Sequence, residues 1–139
     1  MHQIVSYRNK MSGPILDRFD MLLQVPNANQ SVLFKNTTIG KSEHETAKNL
    51  IKIARKHQIL SRQNYNSRLR SHQIVSRLTL DNSARQILDI AANRYSISAR
   101  SYFNTIKVAQ TIADLEQSDV ILPAHITEAL HYRNRNLLI

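Results

Sequence analysis

The chain has 139 residues, 42% of them hydrophobic, enough for one domain or for a small domain with an appendage. Two glycines and three prolines are too few for the tight turns of an all-β protein, and the lack of cysteine excludes disulfides, thiolate metal sites and cysteine nucleophiles. Nineteen lysines and arginines against ten acidic residues leave a formal charge of +9. That surplus suits polyanions such as nucleic acid or nucleotide phosphates, or is the imbalance of one part of a larger, better-balanced protein.

No apolar run approaches the roughly 20 residues of a membrane span. The N-terminus carries no signal-peptide pattern, so a cytoplasmic location without membrane association is expected.

In chain order, residues 2–11 are polar and read as a short helix that ends before the breaker Ser12-Gly13-Pro14. Residues 15–20 suit one helical turn or two. Residues 21–25, Met-Leu-Leu-Gln-Val, form an apolar strand candidate stopped by Pro26, and their lack of alternation fits a strand covered on both faces. Residues 27–40, rich in Asn, Ser and Thr, read as a linker.

Beyond Gly40 the pattern turns helical. Ser42 followed by Glu45 is a capping-box signal, and Ala47, Leu50, Ile51 and Ala54 form an apolar stripe running toward His57 or Gln58. A short helix follows Ser71, with Ile74, Val75 and Leu78 as its inner face. Asp81 or Asn82 caps the next, where Ala84, Ile87, Leu88, Ala91 and Tyr95 keep the helical period.

Ser98 caps what reads as the longest helix, with Tyr102, Ile106, Ala109 and Ala113 on one face. Pro123 opens a last helix that turns Ile126, Ala129 and Leu130 inward. Four or five amphipathic helices on short connections imply a compact bundle. The run His-Gln-Ile-Val-Ser occurs at 2–6 and at 72–76, but the flanks do not match and no repeat is inferred.

Gly40-Lys41-Ser42 imitates the end of a phosphate loop. The motif also needs a glycine five residues before Gly40, where Lys35 stands, so the backbone amides cannot easily wrap a phosphate. A linker entering a helix is the better account.

Two arginines are stronger candidates. Arg18 lies in Ser-Gly-Pro-Ile-Leu-Asp-Arg-Phe-Asp, on a short helix directly before the apolar run. It is either a surface residue paired with Asp17 or Asp20, or an arginine finger whose planar, permanently charged guanidinium stabilises charge developing on a γ-phosphate. Arg100 follows Ser98 at a helix start, where unpaired N–H groups and the helix dipole already favour an anion. It is a directed charge at that anion site, or an exposed residue with no ligand.

The six histidines (2, 44, 57, 72, 125 and 131) place no ligand pair with an acidic partner on a shared helical face. Ordinary surface or boundary positions are expected for them, and metal binding is not. Tyr65, Tyr95, Tyr102 and Phe103 lie near basic residues, yet their helical spacing assigns them to the core rather than to base stacking.

The chain resembles the Mg-chelatase-like AAA+ ATPases, in particular the competence-associated ComM type, and it matches the C-terminal part of such proteins. Three blocks carry the likeness in order over nearly the whole chain. They are the Ser12–Asp20 run, the basic helix of residues 50–64 with Ile-Ala-Arg-Lys at 53–56, and Ile97-Ser98-Ala99-Arg100-Ser101-Tyr102 continued by Lys107 to Leu115. The third block goes on through Ser118-Asp119 to His125, Glu128-Ala129 and Tyr132-Arg133. Two departures are an unusual Lys41 in place of an acidic residue and the missing cysteine cluster before the finger.

The resemblance implies a mainly α fold: a helical lid bundle over residues 41–139, behind a short remnant of the AAA+ αβ core in residues 1–40. It makes Arg18 the arginine finger, reaching in trans into the next subunit of a ring, usually a hexamer. It makes Arg100 the sensor-2 arginine, contacting in cis the γ-phosphate of the subunit's own ATP.

The phosphate loop, the acidic Mg2+-holding motif and the sensor-1 asparagine should lie upstream, so Met1 is not expected to be the natural first residue. ATP and Mg2+ are implied for the full-length protein and none for this segment, which should not hydrolyse ATP alone. The implied role is that of a DNA motor in branch migration during transformation, its lid swinging across the 27–40 linker. Two other roles stay open: an ATPase driving Mg insertion into a porphyrin, and a basic helical module that binds nucleic acid with no nucleotide role.

Overall fold

The computed structural model describes Ile15, residues 17–23, Val25, Asn27 and residues 41–133, with the side chains of residues 41 and 42 set aside. Among the described residues five helices follow one another: α1 (Lys41–Arg62), α2 (Ser71–Arg77), α3 (Asn82–Arg94), α4 (Ala99–Leu115) and α5 (Pro123–His131). A 3-10 turn (Asn66–Arg68) precedes α2. Two very short strands, β1 (Thr79–Leu80) and β2 (Val120–Ile121), pair in parallel with Thr79 opposite Val120 and Leu80 opposite Ile121. The expected mainly α bundle is present, and the strand pair is an addition to it.

Local chemistry explains where the helices begin. The Asp81 carboxylate accepts from the N–H groups of Ser83 at 2.9 Å and Ala84 at 3.3 Å, satisfying donors that the first turn of α3 would otherwise leave orphaned. Ser98 Oγ accepts from the N–H of Ser101 at 3.2 Å at the mouth of α4. Pro123 occupies the first turn of α5, where its missing N–H costs no hydrogen bond.

The helix ends are less conventional. Gln63, Ser96 and Gln117 adopt left-handed φ values of 53°, 49° and 58°, a conformation that favours glycine. Gln117 and Ser118 close α4 by donating to Asp114 O at 3.2 Å and Ala113 O at 2.8 Å. Helix termination here is carried by hydrogen bonds despite the side chains.

The core gathers Leu69, Ile74, Leu78, Leu88, Ile106, Ile121 and Ile126 around fully buried Ala84, Ala109 and Ala129. Alanine at those positions lets α3 and α4 each approach α5 closely, and α4 lies against both α1 and α5. Tyr102 and Phe103 pack against this core with rings edge-to-face, centroids 5.8 Å apart.

Several expectations need correcting. The stripe Ala47, Leu50, Ile51 and Ala54 is buried only at Ala54, because just the second half of α1 meets the bundle. There the inward positions are Ala54, Gln58 and Arg62, four residues apart, and α1 runs on past His57 and Gln58 to Arg62. That makes α1, not α4, the longest helix, with 22 residues against 17. Ser42 lies inside the first turn of α1 rather than before it.

Val75 and Tyr95 face solvent, as does Tyr65. The guanidinium groups of Arg68 and Arg94 lie over the Tyr65 and Tyr95 rings at 5.7 and 5.6 Å, so these rings serve as cation platforms and not as core. Residues 21–23 and Val25 form no strand, and Met21, Leu23 and Val25 are exposed rather than covered on both faces. The helix expected at 2–11, most of the 27–40 linker and the first copy of His-Gln-Ile-Val-Ser lie outside the described residues.

Candidate functional site

α4 presents Arg100 as its second residue, exposed at the helix mouth. Ser98 takes the N–H of Ser101, while helix geometry leaves the N–H groups of Ala99 and Arg100 without an intrahelical acceptor. Backbone donors, the positive end of the dipole and a guanidinium therefore point the same way, an arrangement that fits a phosphate anion.

Arg18 sits in a single turn closed by its own N–H donating to Ile15 O at 3.0 Å, and it too is exposed. Among the described residues no ion pair engages the side chain of either arginine. The surface pairing with Asp17 or Asp20 that the sequence allowed for Arg18 is not formed.

Asp17 turns elsewhere: its Oδ1 accepts from Ser101 Oγ at 3.0 Å. Arg133 Nη2 donates to the same Ser101 Oγ at 2.6 Å, and the Leu22 N–H donates to Tyr132 O at 2.7 Å. The structure thus brings Arg18 to the N-terminal mouth of α4, with Arg18 and Arg100 each one residue from the Asp17–Ser101 hydrogen bond. No sequence signal pointed to that pairing, which joins residues 84 positions apart.

A second polar assembly lies where α1 meets α4. Asp114, fully buried, is bound by the guanidinium of Arg62, by Gln110 Nε2 at 3.0 Å, by Asn66 Nδ2 at 2.7 Å and by His57 Nδ1 at 3.2 Å. Arg62 is itself 5% exposed, so the pair is a buried one. His57 reaches Asp119 with its other nitrogen at 3.0 Å. The two carboxylates lie on opposite ring nitrogens, and among the described residues no group of three potential ligands converges on a metal position. Polar Gln110 and Asp114, four apart among the inward positions of α4, were the signal for this assembly, and sequence reading passed over them.

The histidines divide. His125 is no boundary residue but is 1% exposed. Its Nδ1 accepts from the Leu122 N–H at 3.0 Å, which leaves the proton on Nε2 to donate to Glu116 at 2.9 Å. It caps α5 from within.

Burial pushes the Tyr102 hydroxyl from its ordinary 10.0 up to about 12, reinforced by the hydrogen bond it donates to Asp89 at 2.8 Å and by that carboxylate's charge. The Tyr132 hydroxyl is raised as well, mainly by its hydrogen bond to Glu128. For a raised group the stabilisation is fully present below the unfolded value and is lost as pH climbs through the folded one. Tyr102 therefore stabilises α3 against α4 up to about pH 10, and this contribution falls away toward about pH 12. An ultraviolet phenolate titration should show a latest step that disappears in Tyr102→Phe. A curve unchanged by that substitution would contradict the assignment.

Similarity to known proteins follows the same chain order. Residues 41–133 match the family "Magnesium chelatase, subunit ChlI C-terminal", and residues 1–33 match "Magnesium chelatase, subunit ChlI". "Uncharacterized protein YifB" of Escherichia coli is 35% identical over 131 residues, covering 94% of this chain and 26% of that protein. "Competence protein ComM" of Haemophilus influenzae is 34% identical with the same coverage, and "Uncharacterized protein YifB" of Salmonella typhimurium is 33% identical. The chain spans about a quarter of the length of the curated relatives it matches. With the family's C-terminal region matched over most of its residues, the chain belongs to the magnesium-chelatase-like family of AAA+ proteins.

Proposed function

We propose that this chain is the lid and arginine-finger segment of an ATP-hydrolysing ring motor, with residues 1–40 ending the nucleotide-binding core and residues 41–139 forming the lid. The observation that carries this reading is the exposed Arg100 at the mouth of α4, with the Asp17–Ser101 hydrogen bond tying its neighbour to the neighbour of the equally exposed Arg18. When bound, ATP with Mg2+ supplies the γ-phosphoryl group, and this chain's contribution is directed positive charge. Guanidinium groups fixed in advance stabilise charge that grows in the transition state without reorganising as it grows.

The family resemblance implies that Arg100 serves the subunit's own nucleotide and Arg18 its neighbour's. Their adjacency in one chain favours a shared target, because two nucleotides in a ring lie a whole protomer apart. Both arginines then address one triphosphate at a subunit interface.

The likeness to a competence protein supports DNA as the substrate of the motor. So does the exposed basic line Lys48, Lys52 and Arg55 on α1, at spacings of four and three residues. No helix among the described residues is long and apolar enough to cross a membrane.

The test is steady-state hydrolysis by the full-length protein carrying Arg100→Ala. A loss of roughly 10²–10³-fold in kcat is expected, with nucleotide affinity much less affected. Unaltered kcat would leave Arg100 as a surface residue and remove the reading's main support.

A further inference from the structure

Among the described residues of the segment bearing Arg18, the large apolar side chains other than half-buried Leu22 are exposed. Phe19 is 48% exposed and Val25 84% exposed, so these two side chains contribute little apolar burial to the segment's position. Hydrogen bonds tie it to the helical domain, and the one made by Asp17 ends on the Ser101 side chain. Ser101 is 2% exposed and its groups are occupied. Its Oγ donates to Asp17 at 3.0 Å and accepts from Arg133 at 2.6 Å, its N–H donates to Ser98 Oγ at 3.2 Å, and its C=O accepts from Thr105 Oγ1 at 2.9 Å. A hydroxyl buried in this way has little rotational freedom left.

We infer that Asp17, Ser101 and Arg133 form a positioning latch that sets where Arg18 stands relative to Arg100. The inference rests on the proposed role of those two arginines. Asp17 is bonded in sequence to Arg18 and Ser101 to Arg100, so one side-chain hydrogen bond fixes the separation of the two guanidinium stems. Arg133, just past α5, orients the serine hydroxyl by taking its lone pair, which aims the proton at Asp17. The Leu22 N–H to Tyr132 O bond closes the other end of the segment onto the residue before Arg133. The latch touches no nucleotide; it acts through the arginines, and misplacement of reacting groups by about 1 Å costs up to 10²-fold in rate.

The experiment uses the full-length protein with Asp17→Ala, Asp17→Asn and Ser101→Ala, beside Arg18→Ala and Arg100→Ala. Three quantities are read: kcat and KM for ATP hydrolysis, amide exchange at residues 17–23, and the thermal unfolding midpoint. Asp17→Ala and Ser101→Ala should lower kcat about tenfold or more with KM little changed. They should also speed exchange at the Leu22 amide at an unchanged unfolding midpoint. Asp17→Asn keeps an accepting oxygen and should recover most of the rate, which a charge-only role would not allow.

If Arg18→Ala abolishes turnover while Asp17→Ala and Ser101→Ala change neither rate nor exchange, the latch is wrong and the arginine reading stands. If neither arginine substitution affects hydrolysis, both fall together. A collapse of the unfolding midpoint in Asp17→Ala would show the residue to be structural and would also overturn the latch.

Discussion

Asp114→Ala is expected to destabilise the helical domain by about 3–5 kcal/mol, the range for breaking a buried ion pair from one side. The cause is what remains. Arg62 is 5% exposed and Asn66 2%, so removing the carboxylate strands a guanidinium that water cannot reach and leaves the Asn66 amide with Thr111 Oγ1 alone. Gln110 Nε2 and His57 Nδ1 lose the same acceptor. Denaturant unfolding should register a lower midpoint at an unchanged slope.

Replacing both partners, as in Arg62→Met with Asp114→Ala, should recover part of the loss. The double replacement removes the stranded guanidinium, although Asn66 and Gln110 stay without their acceptor, and a double-mutant cycle would expose the coupling. A single Asp114→Ala that costs less than about 1 kcal/mol would mean that the assembly is solvated in solution, against the geometry described above.

The largest functional effect is expected from Arg18. If it is the finger, Arg18→Ala should lower kcat of the assembled ring by on the order of 10³-fold or more. Complementation gives the sharper measurement. A protomer with Arg18→Ala but an intact phosphate loop, mixed with one whose phosphate loop is inactivated but whose Arg18 is present, should regain hydrolysis neither shows alone. Recovery requires the finger of one subunit to serve the nucleotide of the next. Arg100→Ala should complement in the same way if both arginines face one interface. Mixtures that stay inactive would assign the arginines to their own subunit's nucleotide. Ordinary activity in Arg18→Ala alone would exclude a finger altogether.

The two expectations draw on different parts of the molecule. Asp114 ties α1 to the C-terminal half of α4, whereas Arg18 and Arg100 lie at the N-terminal mouth of that same helix. α4 thus carries the structural hub at one end and the candidate charges at the other. Loosening the hub should lower stability well before it alters the spacing of the arginines, so unfolding and turnover can be scored separately.

Sequence by itself determined the parts of this protein whose physics is local. Asp81, Ser98 and Pro123 mark helix starts because a cap depends on residues two or three positions away. Ile74, Leu88, Ile106 and Ile126 read as core because a 3.6-residue period needs only one helix to be visible. The family, too, was legible, in the Arg18 and Arg100 blocks.

Tertiary structure alone decided which surfaces meet. It turned Leu50, Ile51 and Val75 outward although their spacing matched buried neighbours, because the bundle covers only one half of α1 and one side of α2. It drew Asp114, Gln110 and Arg62 inward, joined β1 to β2, and bound Asp17 to Ser101 across 84 residues. Periodicity says that a face is apolar; only the packing of helices against one another says what that face, or a lone carboxylate, will find opposite it.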